Sequence, residues 1–217
     1  MKKDLTELVF ILDRSGSMSG LEKDTIGGFN SLIEKQKKEQ GEAIVSTILF
    51  SDKMNIIHDR ININEIAKLT ENEYYVCGCT ALLDAVGSTI NHIKHIQDNL
   101  RDDEKPEKTL FVITTDGMEN SSHEFKYSMI KDLIKDAKEN RKYEFIFLGA
   151  NIDSEEEATK LGINKEYAAS FINDCEGIGI NYDAICCAIS HIRAEKKMPT
   201  GWRDTIDADM KKRGGKK

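Results

Sequence analysis

The stretch Phe10-Ile11-Leu12-Asp13-Arg14-Ser15-Gly16-Ser17-Met18 decides how the rest of the chain is read. An apolar run, the mark of a strand buried on both faces, ends abruptly in one carboxylate and two hydroxyls at alternate positions. Hard divalent cations such as Mg²⁺ take oxygen ligands in near-octahedral geometry and keep several waters. Asp13, Ser15 and Ser17, in a turn opened by Gly16, offer three oxygens to one such ion but only one negative charge. The metal would stay electron-poor and open to a ligand from outside. That favours a metal-dependent binding site over a metal store or a catalytic cluster. Ordinary turn chemistry is the competing account, because Asp, Ser and Gly are common at strand-to-helix turns and N-caps.

Outward from this stretch, β-rich runs alternate with amphipathic helical segments. Strands are predicted at residues 7–12, 43–50, 54–61, 109–114, 145–148 and 167–171, and helices at 21–40, 81–100, 125–140, 154–161 and 182–193. In the first helix Ile26, Phe29, Leu32 and Ile33 share a face, and Gly27-Gly28 permits close packing. In the third, Met129, Leu133, Ile134 and Ala137 are expected inward, and Ser154 is expected to cap the fourth. The short link between the second and third strands predicts an antiparallel hairpin. Strands separated by helices imply right-handed crossovers and a mostly parallel sheet covered on both faces. The expected fold is one doubly wound α/β domain over residues 1–195, with six strands and an antiparallel edge. A basic, flexible tail is expected at 196–217.

At 217 residues the chain suits one generous domain, and 39% hydrophobic with 32% charged residues describes a well-charged globule. No run is long and apolar enough for a bilayer, and residues 8–12 are too short for a signal-peptide core. A cytoplasmic protein is the expectation. The five cysteines (Cys77, Cys79, Cys175, Cys186 and Cys187) are odd in number and poorly spaced for disulfides. They read as reduced structural residues, since Cys77-Gly78-Cys79 has no second half of a zinc site. A net charge of −7 argues against a general nucleic-acid surface, although the last 23 residues hold eight basic and four acidic groups.

In doubly wound folds ligands bind beyond the carboxyl ends of the strands, where strand order reverses. Polar residues cluster in the sequence at those ends. Asp13, Ser15 and Ser17 follow the first strand, and Thr114-Thr115-Asp116-Gly117 ends the fourth. Gly78-Cys79-Thr80 stands just before the second helix, where a hydroxyl can point back at the same rim. With these segments assembled, residues 5–195 resemble the von Willebrand factor A domain family. The later segments Phe147-Leu148-Gly149-Ala150-Asn151 and 177–193 resemble those of small stand-alone bacterial and phage members.

The resemblance implies a sheet in the order 3-2-1-4-5-6 and a metal-ion-dependent adhesion site (MIDAS) at the switch point. Ser15, Ser17 and Thr80 would then supply hydroxyl ligands to Mg²⁺, with Mn²⁺ or Ca²⁺ as substitutes. Asp13 and Asp116 would act directly or through waters. The partner implied is a protein that supplies an Asp or Glu to the metal, within an ATPase, kinase or phosphatase assembly. No bond is made or broken, so the chain is read as a non-enzyme. Cys79 stands where relatives often have Gly. Asp84 is read as a first-turn helix residue and Glu119 as exposed. Two alternatives remain open. One is a phosphatase or hydrolase using Asp13, although Ser15 stands where a general-acid carboxylate is wanted. The other is a ribonucleoprotein-associated domain acting through the basic tail.

Overall fold

The computed structural model describes residues 1–195 and 197–213. Six strands, β1 (Lys2–Asp13), β2 (Glu42–Phe50), β3 (Met54–Asn62), β4 (Pro106–Thr115), β5 (Tyr143–Ala150) and β6 (Ala168–Phe171), form one sheet in the order β3-β2-β1-β4-β5-β6. Only β2 and β3 pair antiparallel; all other neighbours are parallel. Six α-helices accompany them among the described residues: α1 (Glu22–Gln36), α2 (Leu82–Asp98), α3 (Tyr127–Arg141), α4 (Ser154–Leu161), α5 (Cys175–Glu195) and α6 (Asp204–Arg213).

The apolar run of β1 is continuous because both of its faces are covered. Leu8, Phe10 and Leu12 enter the core shared with α1 and α5, while Val9 and Ile11 enter the core shared with α2 and α3. The Phe10 and Phe29 rings meet edge to face at 5.3 Å, which fixes α1 against the sheet. Gly28 lets α1 approach α5: a Cβ there would lie 2.3 Å from the Tyr182 ring. Gly27 meets nothing, so the close packing expected of the pair belongs to Gly28 alone.

One charge lies inside this apolar frame. Glu7 is fully buried, with its carboxylate bonded by Arg60 Nε at 2.8 Å and Gln97 Nε2 at 2.7 Å. Burial raises its pKa, and the Arg60 charge opposes that shift. Gln97 also reaches Thr109 and receives the Tyr143 hydroxyl, so a connected polar network staples α2 to three strands.

Several expectations are corrected. α5 begins at Cys175 rather than at 182, because the Asp174 side chain accepts the Gly177 amide at 2.8 Å. A Cβ on Gly177 would lie 2.0 Å from the Ile172 carbonyl, so the glycine that weakens the helical pattern is also required there. Met129 and Cys187 point outward, on the polar faces of α3 and α5. The chain after 195 is not wholly a flexible tail. Trp202 is buried and α6 packs on β6 and α5, with Ile206 as its inward residue. The terminal residues 214–217 lie outside the described residues.

The cap of α4 is Asp153, whose carboxylate accepts the Glu156 amide; Ser154 instead donates to the Gly149 carbonyl. Asp153→Ala is therefore expected to lower stability by about 1 kcal/mol in urea unfolding. Unchanged stability would return the cap to Ser154.

Candidate metal centre

β1 and β4 are neighbours at the centre of the sheet, and connections leave them toward opposite edges. Their carboxyl ends carry Asp13 and Thr115 and make the switch point. After Asp13 the chain turns through a single 3-10 turn, Gly16–Met18, before α1. Two backbone bonds lock the loop before α2 against this turn: Gly16 N to the Gly78 carbonyl (3.1 Å) and Cys77 N to the Arg14 carbonyl (2.9 Å). Gly78 adopts a φ of 68°, a conformation glycine takes readily.

All five residues expected at the rim are brought together. Thr80 Oγ1 donates to Ser15 Oγ (3.1 Å), Ser15 and Ser17 hydroxyls lie 3.0 Å apart, and Ser17 Oγ donates to Asp116 Oδ1 (2.5 Å). Asp13 stands one bond away, its Oδ1 accepting the Ser15 amide at 2.7 Å. Gly117 allows this closeness, since a Cβ there would come within 3.1 Å of Thr80 Oγ1. Three hydroxyls and the Asp116 carboxylate thus form one hydrogen-bonded chain, and the Ser15 amide ties Asp13 to it.

The electrostatics are lopsided. Asp13 and Asp116 are 2% and 3% exposed, and no Lys, Arg or His bonds either of them among the described residues. Burial pushes the Asp13 carboxyl up to about 6, against hydrogen bonds from Thr115 and Ser15 that lower it. Burial also raises Asp116, with Ser17 and Asn173 opposing. Two buried carboxylates beside three hydroxyls are the donor set of a hard cation, and the residues present fit one. The thiols stay out: Cys77 Sγ contacts Ser51 Oγ at 3.5 Å, Cys79 is exposed, and no group of three His, Cys, Asp or Glu side chains placed to hold a metal ion occurs among the described residues.

Sequence reading missed the residues that hold the cluster in place. Thr115 Oγ1 donates to Asp13 Oδ2 (2.6 Å), the buried Tyr74 hydroxyl to the Asp13 carbonyl (2.6 Å), and Asn173 Nδ2 to Asp116 Oδ2 (3.0 Å). Thr115 had a visible signal, lying beside Asp116; Tyr74 and Asn173 had none. Asn120 clamps Thr80 from both ends, accepting the Thr80 amide at its side chain and donating its own amide to the Thr80 carbonyl.

Glu119 is a correction, for it is half-buried rather than exposed. Its carboxylate caps α2 through the Leu83 amide (2.9 Å) and also accepts from the Ser121 and Ser122 amides. Asp84 accepts three consecutive amides, His123 to Phe125, and so pins the far end of the same loop. Neither carboxylate bonds to the hydroxyl cluster. His123 is exposed, and Asn151 holds a positive φ in the turn after β5.

The order of the sheet and the rim at its switch point define a von Willebrand factor A-type α/β fold. Solved structures with this fold bear it out. Proximal thread matrix protein 1 from the mussel byssus, with a zinc-occupied MIDAS motif, matches at TM-score 0.58 and 12% identity, over 85% of this chain and 46% of that one. A von Willebrand factor type A structure from Catenulispora acidiphila matches at 0.59 and 13%, over 84% and 42%. The manganese-loaded TRAP protein of Plasmodium vivax matches at 0.55 and 16%, over 79% and 70%. The chain thus spans less than half of the first two, and identities this low establish the fold alone. No family profile and no curated protein matches the sequence. Among the described residues no helix is long and apolar enough to cross a membrane.

Proposed function

We propose that the chain is a divalent-cation-dependent protein-binding module. Asp13, Ser15, Ser17, Thr80 and Asp116 would hold the ion, Mg²⁺ by preference, and a carboxylate of a partner protein would complete its shell. One observation carries this reading: the Asp116 carboxylate and three hydroxyls form one hydrogen-bonded cluster to which the Ser15 amide ties Asp13, and no Lys, Arg or His among the described residues bonds either buried carboxylate. Bound there, the ion supplies positive charge and an open coordination position.

The chain's own residues prepare the place. Thr115 and the Ser15 amide orient Asp13, Asn173 orients Asp116, and Asn120 holds Thr80 toward them. Both Asp13 oxygens are already engaged by donors, an arrangement suited to a fixed acceptor more than to an attacking nucleophile. The relatives by fold that carry zinc or manganese support a divalent ion at such a rim. Five cysteines without a disulfide accord with a reducing, cytoplasmic setting.

Titration calorimetry with MgCl₂, followed by partner capture with and without EDTA, tests the proposal. Saturable binding lost in Asp13→Ala and Thr80→Ala, with the fold retained, is expected; equal binding by all three proteins overturns it. Asn120→Ala should weaken the cation about tenfold while leaving every ligand in place, because groups that orient ligands typically contribute that much. An unchanged affinity would show that Thr80 needs no clamp.

A further inference from the structure

Strand β6 is half as long as its neighbour. It pairs with β5 only along 147–150, whereas β4 pairs with β5 from Tyr143 onward. Residues 143–146 of β5 therefore meet no strand on their outer side among the described residues. A cavity of about 410 Å³ lies against Tyr143, Glu144 and Phe145, bounded also by Ile163, Asn164 and Tyr167 of the segment that leads into β6. An unpaired strand edge with room beside it is a template for one more strand.

Both faces of the slot are basic. Lys108 lies on the face of Leu110 and Val112, and Lys197 follows α5 beside Met198, which packs on that same core. Lys138 and Lys142 come from α3 and its C-terminal cap on the opposite face. Glu144 is the only carboxylate lining the slot among the described residues, and Lys108 already pairs with it at 3.1 Å. Lys138 bonds only to neutral oxygens, Asn164 Oδ1 and the Gly162 carbonyl, and Lys142 and Lys197 have no carboxylate partner among the described residues. Four lysines gathered at one place on a chain of net charge −7 select a negatively charged occupant.

We propose that this slot takes an extended acidic segment of a partner protein as an added strand beside β5. Successive side chains of a strand point to opposite faces, so neighbouring acidic residues would meet lysines alternately from the two sides. A run of about three residues fills the open edge at ~3.3 Å per residue. A small anion such as phosphate would meet the lysines but leave the strand edge unpaired. The slot lies at the amino end of β5, away from the carboxyl-end rim, and it stands independently of any metal.

A fluorescein-labelled octapeptide, Glu-Glu-Val-Glu-Glu-Val-Glu-Glu, titrated onto the full chain in low salt with EDTA present, tests this. Saturable binding is expected, weakened roughly tenfold or more in the folded double variant Lys138→Glu, Lys142→Glu and unchanged in Asp13→Asn. Hydrogen exchange should show alternate amides within residues 143–145 slowed by the peptide. Lys197→Glu gives a second reading from the other face should the double variant fail to fold. Absence of binding, binding without amide protection, equal binding by the lysine variants, or displacement by inorganic phosphate or AMP at matching concentration would each overturn strand docking.

Discussion

In EDTA the variant Asp13→Asn is expected to melt above the wild-type protein, and in excess Mg²⁺ the order should reverse. The first half follows from burial. Asp13 is 2% exposed, its charge has no cationic partner, and burial raises its carboxyl to about 6. A carboxyl raised in the folded state favours folding when protonated and opposes it when ionised. At neutral pH the ion therefore costs on the order of 1–3 kcal/mol in the metal-free protein. The amide side chain removes the charge without stranding its neighbours. Its oxygen would still accept the Ser15 backbone amide, and its NH₂ group would donate to Thr115 Oγ1, which already has the Gly117 carbonyl as an alternative acceptor. The second half follows from linkage, since a ligand at 1,000 times its Kd adds about 4.1 kcal/mol to the state that binds it, more than the ion costs. For a chain of this size that is a rise of roughly 8–16 °C in the wild type and none in the variant. Differential scanning calorimetry of both proteins in both buffers decides it. Parallel responses to Mg²⁺ would remove Asp13 from the site.

The fold was legible because its pattern is local. Continuous apolar runs at residues 7–12, 43–50 and 109–114 read as strands covered on both sides, and residues 43–61 read as a hairpin. The rim was legible because its five donors sit at element ends beside glycines that turn the chain. What holds them was not. Tyr74 meets Asp13 across 61 positions and Asn173 meets Asp116 across 57, pairings that only the finished sheet creates. Glu119 looked like a surface carboxylate because its role, capping a helix that begins 37 positions earlier in the chain, is tertiary. Glu7 was hidden for the same reason, being a charge inside a strand whose partners come from β3 and α2. The start of α5 was lost to Gly177, which weakens the helical pattern but whose lack of a side chain the structure needs. α6 carries one inward residue, Ile206, too few to leave a helical period in a charged segment. Its stability comes from what it docks on.

Trp202→Ala should show where that docking begins. The indole is 9% exposed, packs in the core shared with α5, and donates Nε1 to the Glu166 carbonyl at 2.9 Å. Removing a buried Trp side chain typically costs about 3–5 kcal/mol, and the Glu166 carbonyl loses its donor besides. The next residue cannot hold the segment alone. Arg203 bridges the Lys165 and Ala168 carbonyls and Glu155, yet its ion pairs are half-exposed and each is worth under about 1 kcal/mol. Local release of α6 is therefore the expected outcome, ahead of global unfolding. Trypsin should cut the variant within the segment from Lys197 to Arg213 many times faster than the wild type, while the amides of β1 and β4 stay protected. The rim should survive. Arg213 pairs with Asp174 at 2.6 Å, but the Asp174 bond to the Gly177 amide lies inside the α5 cap and does not depend on α6. Asn173 therefore keeps its hold on Asp116, and the response to Mg²⁺ should match that of the wild type. Loss of that response together with α6 would mean that the helix, through Asp174, helps to set the position of Asp116.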